Sequence, residues 1–144
     1  ASEGGLFYVE DVVRGQWSSG ERNAVMKQAA ELDAQAYQNT VQIWTEQEPG
    51  SGGKESAEAT IHLLAGFPVF AQPVTGSKDV RLEPFAAQCE AGNVRLVRGA
   101  WNADYVEELC AVPNGKYRDQ SDASGGAFNK LSLGQQGSRT RRTA

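Results

Sequence analysis

The chain has 144 residues, 40% of them hydrophobic and 22% charged, with a net charge of −4. That is enough for one domain with a real core, and no apolar run approaches the roughly 20 residues that span a membrane. An acidic chain has no global pull toward nucleic acid, so any such binding must come from a local patch. Cys89 and Cys110 lack a metal-ligand pattern and are expected to be a reduced, cytosolic pair. His62 is the only histidine, which all but excludes histidine zinc sites and Ser-His catalysis. The leading ASEGG has neither the basic start nor the apolar segment of a signal peptide.

Residues 6–13, LFYVEDVV, alternate as a strand. Ser18 and Glu21 fit a capping box, and the helix after them is expected to bury Ala24, Val25, Gln28, Ala29 and Leu32 and to end near Gln38–Asn39. Val41–Glu46 alternates with period two and reads as the next strand, with Glu46 and Glu48 at its C-terminal end. Pro49-Gly50-Ser51-Gly52-Gly53 breaks the pattern. A helix over 55–65 follows, with Ala59, Ile61, Leu63 and Leu64 inward and a stop at Gly66. Pro68–Ala71 is a short strand. Ser77 can cap a helix from Lys78 to about Glu90, with Pro84 making its first turns irregular and Gly92 following it. Val94–Val97 is a further strand, Trp101–Leu109 a short helix begun by Asn102, and Pro113-Asn114-Gly115 a turn. The last helix runs from about Asp119 to Leu131. Residues 132–144 are polar, lack periodicity and carry three arginines, and are expected to be disordered. The order β-α-β-α-β-α-β-α-α predicts an α/β fold with a mostly parallel sheet covered by helices.

A strand that delivers acids to its C-terminal end, then a glycine turn into a helix, is where α/β proteins place chemistry. EPGSGGKES must therefore be tested as a phosphate loop. The pattern puts its first glycine at Glu48 and its hydroxyl at Glu55, so both positions fail and each offers phosphate a carboxylate. Acids on separate elements are the stronger feature. Glu46 ends a strand, while Asp119 and Asp122 lie three apart near a helix start and so share a face. Magnesium is held by a few carboxylates plus waters, and a pair of such ions stabilises attack on a phosphodiester. Helix starts also favour aspartate for dipole reasons alone, so spacing leaves both readings open. Lys78 and Arg81 could meet phosphate at a helix N-terminus or form a solvated helix start. Trp17, Trp44 and Trp101 read as core residues, Trp44 sharing the face of Glu46; His62 reads as a helix-edge residue.

YVEDVVRGQWS, IWTEQEPGSGGKES, TGSKDVRLEPFAAQCEAGNVRLVRGAWN and PNGKYRDQSDASGGAFNKL, in that order over about residues 6–131, resemble the C-terminal nuclease domain of bacteriophage terminase large subunits. The resemblance implies an RNase H-like nuclease fold, a mixed sheet flanked by helices. It further implies a magnesium- or manganese-dependent endonuclease that cuts concatemeric viral DNA during genome packaging. The family's acid after the central strand falls on Glu46, and the acid of its last helix on Asp119. Where that helix usually reads Asp-Asp-Gln-x-Asp-Ala, the first acid is Arg118 here, which leaves Asp119 first and Asp122 second. The remaining family acid lies on a first strand that precedes 6–13 by two strands, so the fold is expected to be incomplete at its N-terminus. Asp11 matches a different family position.

The expected organisation is therefore a partial terminase nuclease-like domain over 1–131 and a disordered basic tail over 132–144. Glu46, Asp119 and Asp122 would be catalytic and metal-binding, with Glu46 within metal-bridging reach of Asp119, and Lys78 and Arg81 would steer the DNA backbone; no organic cofactor is called for. Implied partners are double-stranded viral DNA, the terminase ATPase domain, the small terminase subunit and the portal, with no membrane, in the host bacterial cytoplasm. The alternative is a catalytically dead prophage remnant, or an interaction module of the packaging machinery.

Overall fold

The computed structural model describes residues 1–38 and 40–139, with side chains described as far as residue 132. The elements run β1 (Ser2–Glu3), β2 (Leu6–Val9), α1 (Ser19–Tyr37), β3 (Ile43–Gln47), α2 (Ser51–Leu63), β4 (Val69–Pro73), α3 (Lys78–Glu90), β5 (Val94–Leu96), α4 (Asn102–Ala111) and α5 (Asp119–Arg139). The class is the expected α/β one, but the described strands do not share a single sheet. β2 pairs antiparallel with β1 and parallel with β5, giving a mixed three-stranded sheet, while β3 and β4 form a separate parallel pair. The chain clusters into two compact units, one of residues 1–14 together with Gly76 onward, the other Gly15–Thr75.

In the first unit, the strand expected over 6–13 stops at Val9. Its last rung is the Val97 N–H on the Val9 carbonyl at 2.9 Å. Beyond it Asp11 turns its carboxylate onto the Val12 N–H at 2.9 Å, a local bond that competes with strand pairing. β1, too short to show a period, is joined to β2 through Gly4 and Gly5, whose φ values of 58° and 83° suit a tight hairpin turn. The core is Leu82, Phe85 and Phe128, packed by Phe7, Val9, Val94, Leu109 and Val112. Phe7 and Phe128 meet edge to face with ring centroids 4.7 Å apart.

Ser18 and Ser77 both cap as expected: the Ser77 Oγ accepts the Val80 N–H at 3.3 Å at the head of α3. α3 is α-helical across Pro84 rather than irregular in its first turns, although proline there loses its bond to the Val80 carbonyl and crowds that carbonyl with its ring. α3 packs along α5, and Gly125 permits the approach. A Cβ at Gly125 would lie 3.2 Å from Leu82 Cδ1 and 3.3 Å from the Arg81 carbonyl oxygen. α5 continues past the expected end at Leu131 to Arg139, so the segment expected to be disordered begins inside a helix. Residues 140–144 lie outside the described residues.

In the second unit the capping box is complete: Ser18 N–H donates to Glu21 Oε2 at 2.9 Å, and Glu21 N–H donates to Ser18 Oγ at 3.4 Å. The buried face of α1 differs from the expected one. Ala30 is buried and Met26, Asp33 and Ala34 are half-buried, whereas Ala24, Gln28, Ala29 and Leu32 are exposed. Alanines on both stripes make the two faces nearly equal in sequence. α2 starts at Ser51, inside the glycine run, and its inward stripe is Gly53, Ala57, Thr60 and Leu64. Ala59 and Ile61, expected inward, are exposed. β3, α2 and β4 form a βαβ unit in which Ile43, Thr45 and Gln47 are half-buried and Trp44 and Glu46 exposed.

Candidate functional site

The first turn of α5 carries Asp119 and Asp122, and it is held by Glu108 of α4. The Glu108 carboxylate is buried. Its Oε1 accepts the backbone N–H groups of Gln120 at 2.8 Å and Ser121 at 3.0 Å and the Ser121 hydroxyl at 3.2 Å. Its Oε2 accepts the Gln120 side-chain amide at 2.6 Å, with the Arg14 guanidinium 3.9 Å away. An anion on the N–H groups that lack an intrahelical partner at a helix start is favourable both as a cap and for the helix dipole. Burial alone would push the Glu108 carboxyl up; the hydrogen bonds from Gln120 and Ser121 outweigh it and hold the carboxyl below its usual range. One turn on, the Tyr105 hydroxyl and Ser124 Oγ are 2.7 Å apart and tie α4 to α5 again. No motif marks Glu108 in the sequence: a glutamate mid-helix looks solvent-facing, and its partners lie in another helix.

Asp119 is exposed and lines a cleft of about 450 Å³ between the stretch after β2 and α5. Phe7, Val9, Phe85 and Phe128 form its apolar wall, and Asp11 and Arg14 join Asp119 among its polar lining. Asp122 is different. Its side chain is only 8% exposed, and neither oxygen receives a hydrogen bond of good geometry. What it has is the Lys78 ammonium, 2.6 Å from Oδ2, an ion pair reaching from the first residue of α3. Beside it Arg118 donates to Asp79 Oδ1 at 2.5 Å, so this cation is matched by an acid of α3. Arg81 donates to the Gly76 carbonyl at 3.1 Å.

The structure thus brings Asp119, Asp122, Lys78 and Arg81 into one compact unit, while Glu46 belongs to the other. Glu46 is exposed and Ile43 half-buried, as the alternation predicts, and Glu46 sits opposite Gln72 of β4. On the same face Trp44 stacks on Phe70 with centroids 4.9 Å apart. Trp44 and Trp17, expected in the core, are 37% and 38% exposed. Cys89 and Cys110 are free thiols, and His62 is exposed on α2 as expected of an edge residue.

Among the described residues no three histidine, cysteine, aspartate or glutamate side chains converge on one point. Magnesium, however, uses one or two carboxylates and keeps several waters. Asp119 and Asp122 are two carboxylates one turn apart, Asp119 at the cleft and Asp122 shielded and paired with the Lys78 ammonium. Among the described residues no helix is long and apolar enough to cross a membrane. The family model of the terminase RNase H-like domain matches residues 6–133. No curated protein and no solved structure gives a significant match.

Proposed function

This chain belongs to the terminase RNase H-like domain family, and from that premise we propose that it is the nuclease of a bacteriophage DNA-packaging terminase, cutting concatemeric viral DNA by metal-dependent phosphodiester hydrolysis. The observation that carries the reading is Asp122, a shielded carboxylate without hydrogen bonds, beside Asp119 on the helix where the family keeps its last acid. Asp119 and Asp122 would hold magnesium or manganese, and Glu46 is the further acid that the resemblance assigns to catalysis. When bound, such ions activate water as a nucleophile and stabilise the charge that develops on the leaving oxygen. The chain's own residues do the rest. Glu108 fixes the rotation of the α5 head, and Lys78 and Arg81 at the start of α3 offer cations to the phosphate backbone. The domain would span residues 1–131 with a basic tail beyond it. It would work in the host bacterial cytoplasm with the terminase ATPase domain, the small terminase subunit and the portal.

A second reading, a catalytically dead remnant or docking module of the packaging machinery, is favoured by Arg118 at an acidic family position and by the lysine already seated on Asp122. Supercoiled plasmid decides between them. Manganese-dependent nicking that falls at least about 100-fold in Asp119→Asn and Asp122→Asn is the expected result. Nicking that survives in EDTA, or that both variants retain, would overturn the assignment; no nicking by a folded chain that binds manganese through Asp122 would favour the docking module.

A further inference from the structure

We propose that Lys78 is the resident counter-cation of Asp122, and that a divalent ion binds this carboxylate by exchange with the lysine ammonium. The inference rests on Asp122 being a metal ligand, as assigned above. A carboxylate 8% exposed with no hydrogen bond to either oxygen is costly to keep ionised unless a cation accompanies it. The ammonium at 2.6 Å supplies that charge from within the chain. The other end of the pair is built to leave. The Lys78 side chain is 53% exposed, and its four-carbon stem can carry the ammonium into water without moving the backbone.

A second ion pair keeps the frame while the first opens. Arg118 and Asp79 join the starts of the same two helices, and the Arg118 side chain is only 19% exposed. The Asp122 N–H also donates to the Arg118 carbonyl at 2.9 Å, so the aspartate stays on its turn. Each pair has one shielded and one exposed end, Asp122 and Lys78 in the first and Arg118 and Asp79 in the second. A carboxylate already occupied by an intramolecular cation shows a weaker apparent affinity for an external one, by the fraction of time it is free. Lys78 therefore sets the metal affinity of the site without being one of its ligands.

The test is manganese binding to the whole chain, followed by the loss of the free-ion signal in electron paramagnetic resonance, at constant pH and salt. Lys78→Gln keeps a hydrogen-bond donor near the carboxylate but removes the charge, and Lys78→Met removes both. Each is expected to bind manganese at least about tenfold more tightly than the unmodified chain, and Asp122→Asn to lose that binding in either background. Circular dichroism and the thermal midpoint without metal identify any variant that has not folded, and Lys78→Gln stands in if Lys78→Met does not fold. Equal or weaker binding by folded Lys78→Gln, with binding still dependent on Asp122, would overturn the exchange and leave the metal assignment intact. Binding that ignores Asp122→Asn would overturn both.

Discussion

At the residue scale the informative carboxylates are the ones whose surroundings differ most. Asp119 faces solvent at a cleft, Asp122 is shielded against a lysine, and Glu108 is buried against backbone N–H groups. Burial pushes the Glu108 carboxyl up, and the hydrogen bonds from Gln120 and Ser121 outweigh it and hold the carboxyl below its usual range. A carboxyl whose folded-state value lies below its unfolded value of about 4.3 stabilises the fold fully above that value. The contribution is lost as pH falls through the lower, folded-state value. Glu108→Gln is therefore expected to be less stable than the unmodified chain at pH 7, by about 1–3 kcal/mol, with the gap narrowing at pH 3. Urea midpoints at the two pH values check it, and an unchanged gap would show that the charge of Glu108 is not what matters. Asp119 and Asp122 were legible as a helix start from spacing alone. Glu108 was not, because its bonds to Gln120 and Ser121 cross from α4 to α5 and leave no periodic trace.

At the element scale, local chemistry was readable and long-range choice was not. Ser18 and Glu21 announce the start of α1 because their bonds close within four residues. Which face of α1 turns inward depends on Val41, Ile43 and Phe67, which line a crevice with Ala30 and Ala34, and helical spacing cannot weigh those. The parallel pairing of β3 with β4, and of β2 with β5, is likewise invisible in the alternation of any one strand. The glycine run before α2 shows how one composition hides two roles. A Cβ on Gly53 would fall 2.0 Å from the Glu48 carbonyl oxygen, whereas one on Gly52 meets nothing within 4 Å. Gly53→Ala is expected to destabilise by about 1–3 kcal/mol, since backbone must move to admit the methyl. Gly52→Ala should stabilise by up to about 1 kcal/mol through helix propensity. Thermal midpoints of the two variants should move in opposite directions; a shift of the same sign would mean the turn at Glu48 yields easily.

At the scale of the whole molecule, a chain of net charge −4 proposed to act on a polyanion must localise its attraction. The candidates differ in kind. Lys78 and Arg81 stand at the start of α3, within one compact unit, while Arg139, Arg141 and Arg142 are crowded into the last residues of the chain. Each phosphate neutralised by a lysine or arginine steepens the fall of affinity with salt by roughly 0.9 in the log–log slope for duplex DNA. Binding through Lys78 and Arg81 alone predicts a slope of about −2, and binding that recruits the three tail arginines as well predicts about −4 to −5. The proposed site favours the shallow slope, because the attachment that matters for cutting must hold the backbone beside Asp119 and Asp122. Fluorescence anisotropy of a labelled duplex over a range of potassium concentrations measures it, with calcium in place of a catalytic ion so that the duplex stays whole. Removing residues 139–144 should leave the slope unchanged, and Lys78→Gln should make it shallower by about one. A steep slope that collapses on removing the tail would assign DNA attraction to those arginines and leave α3 without a part in it.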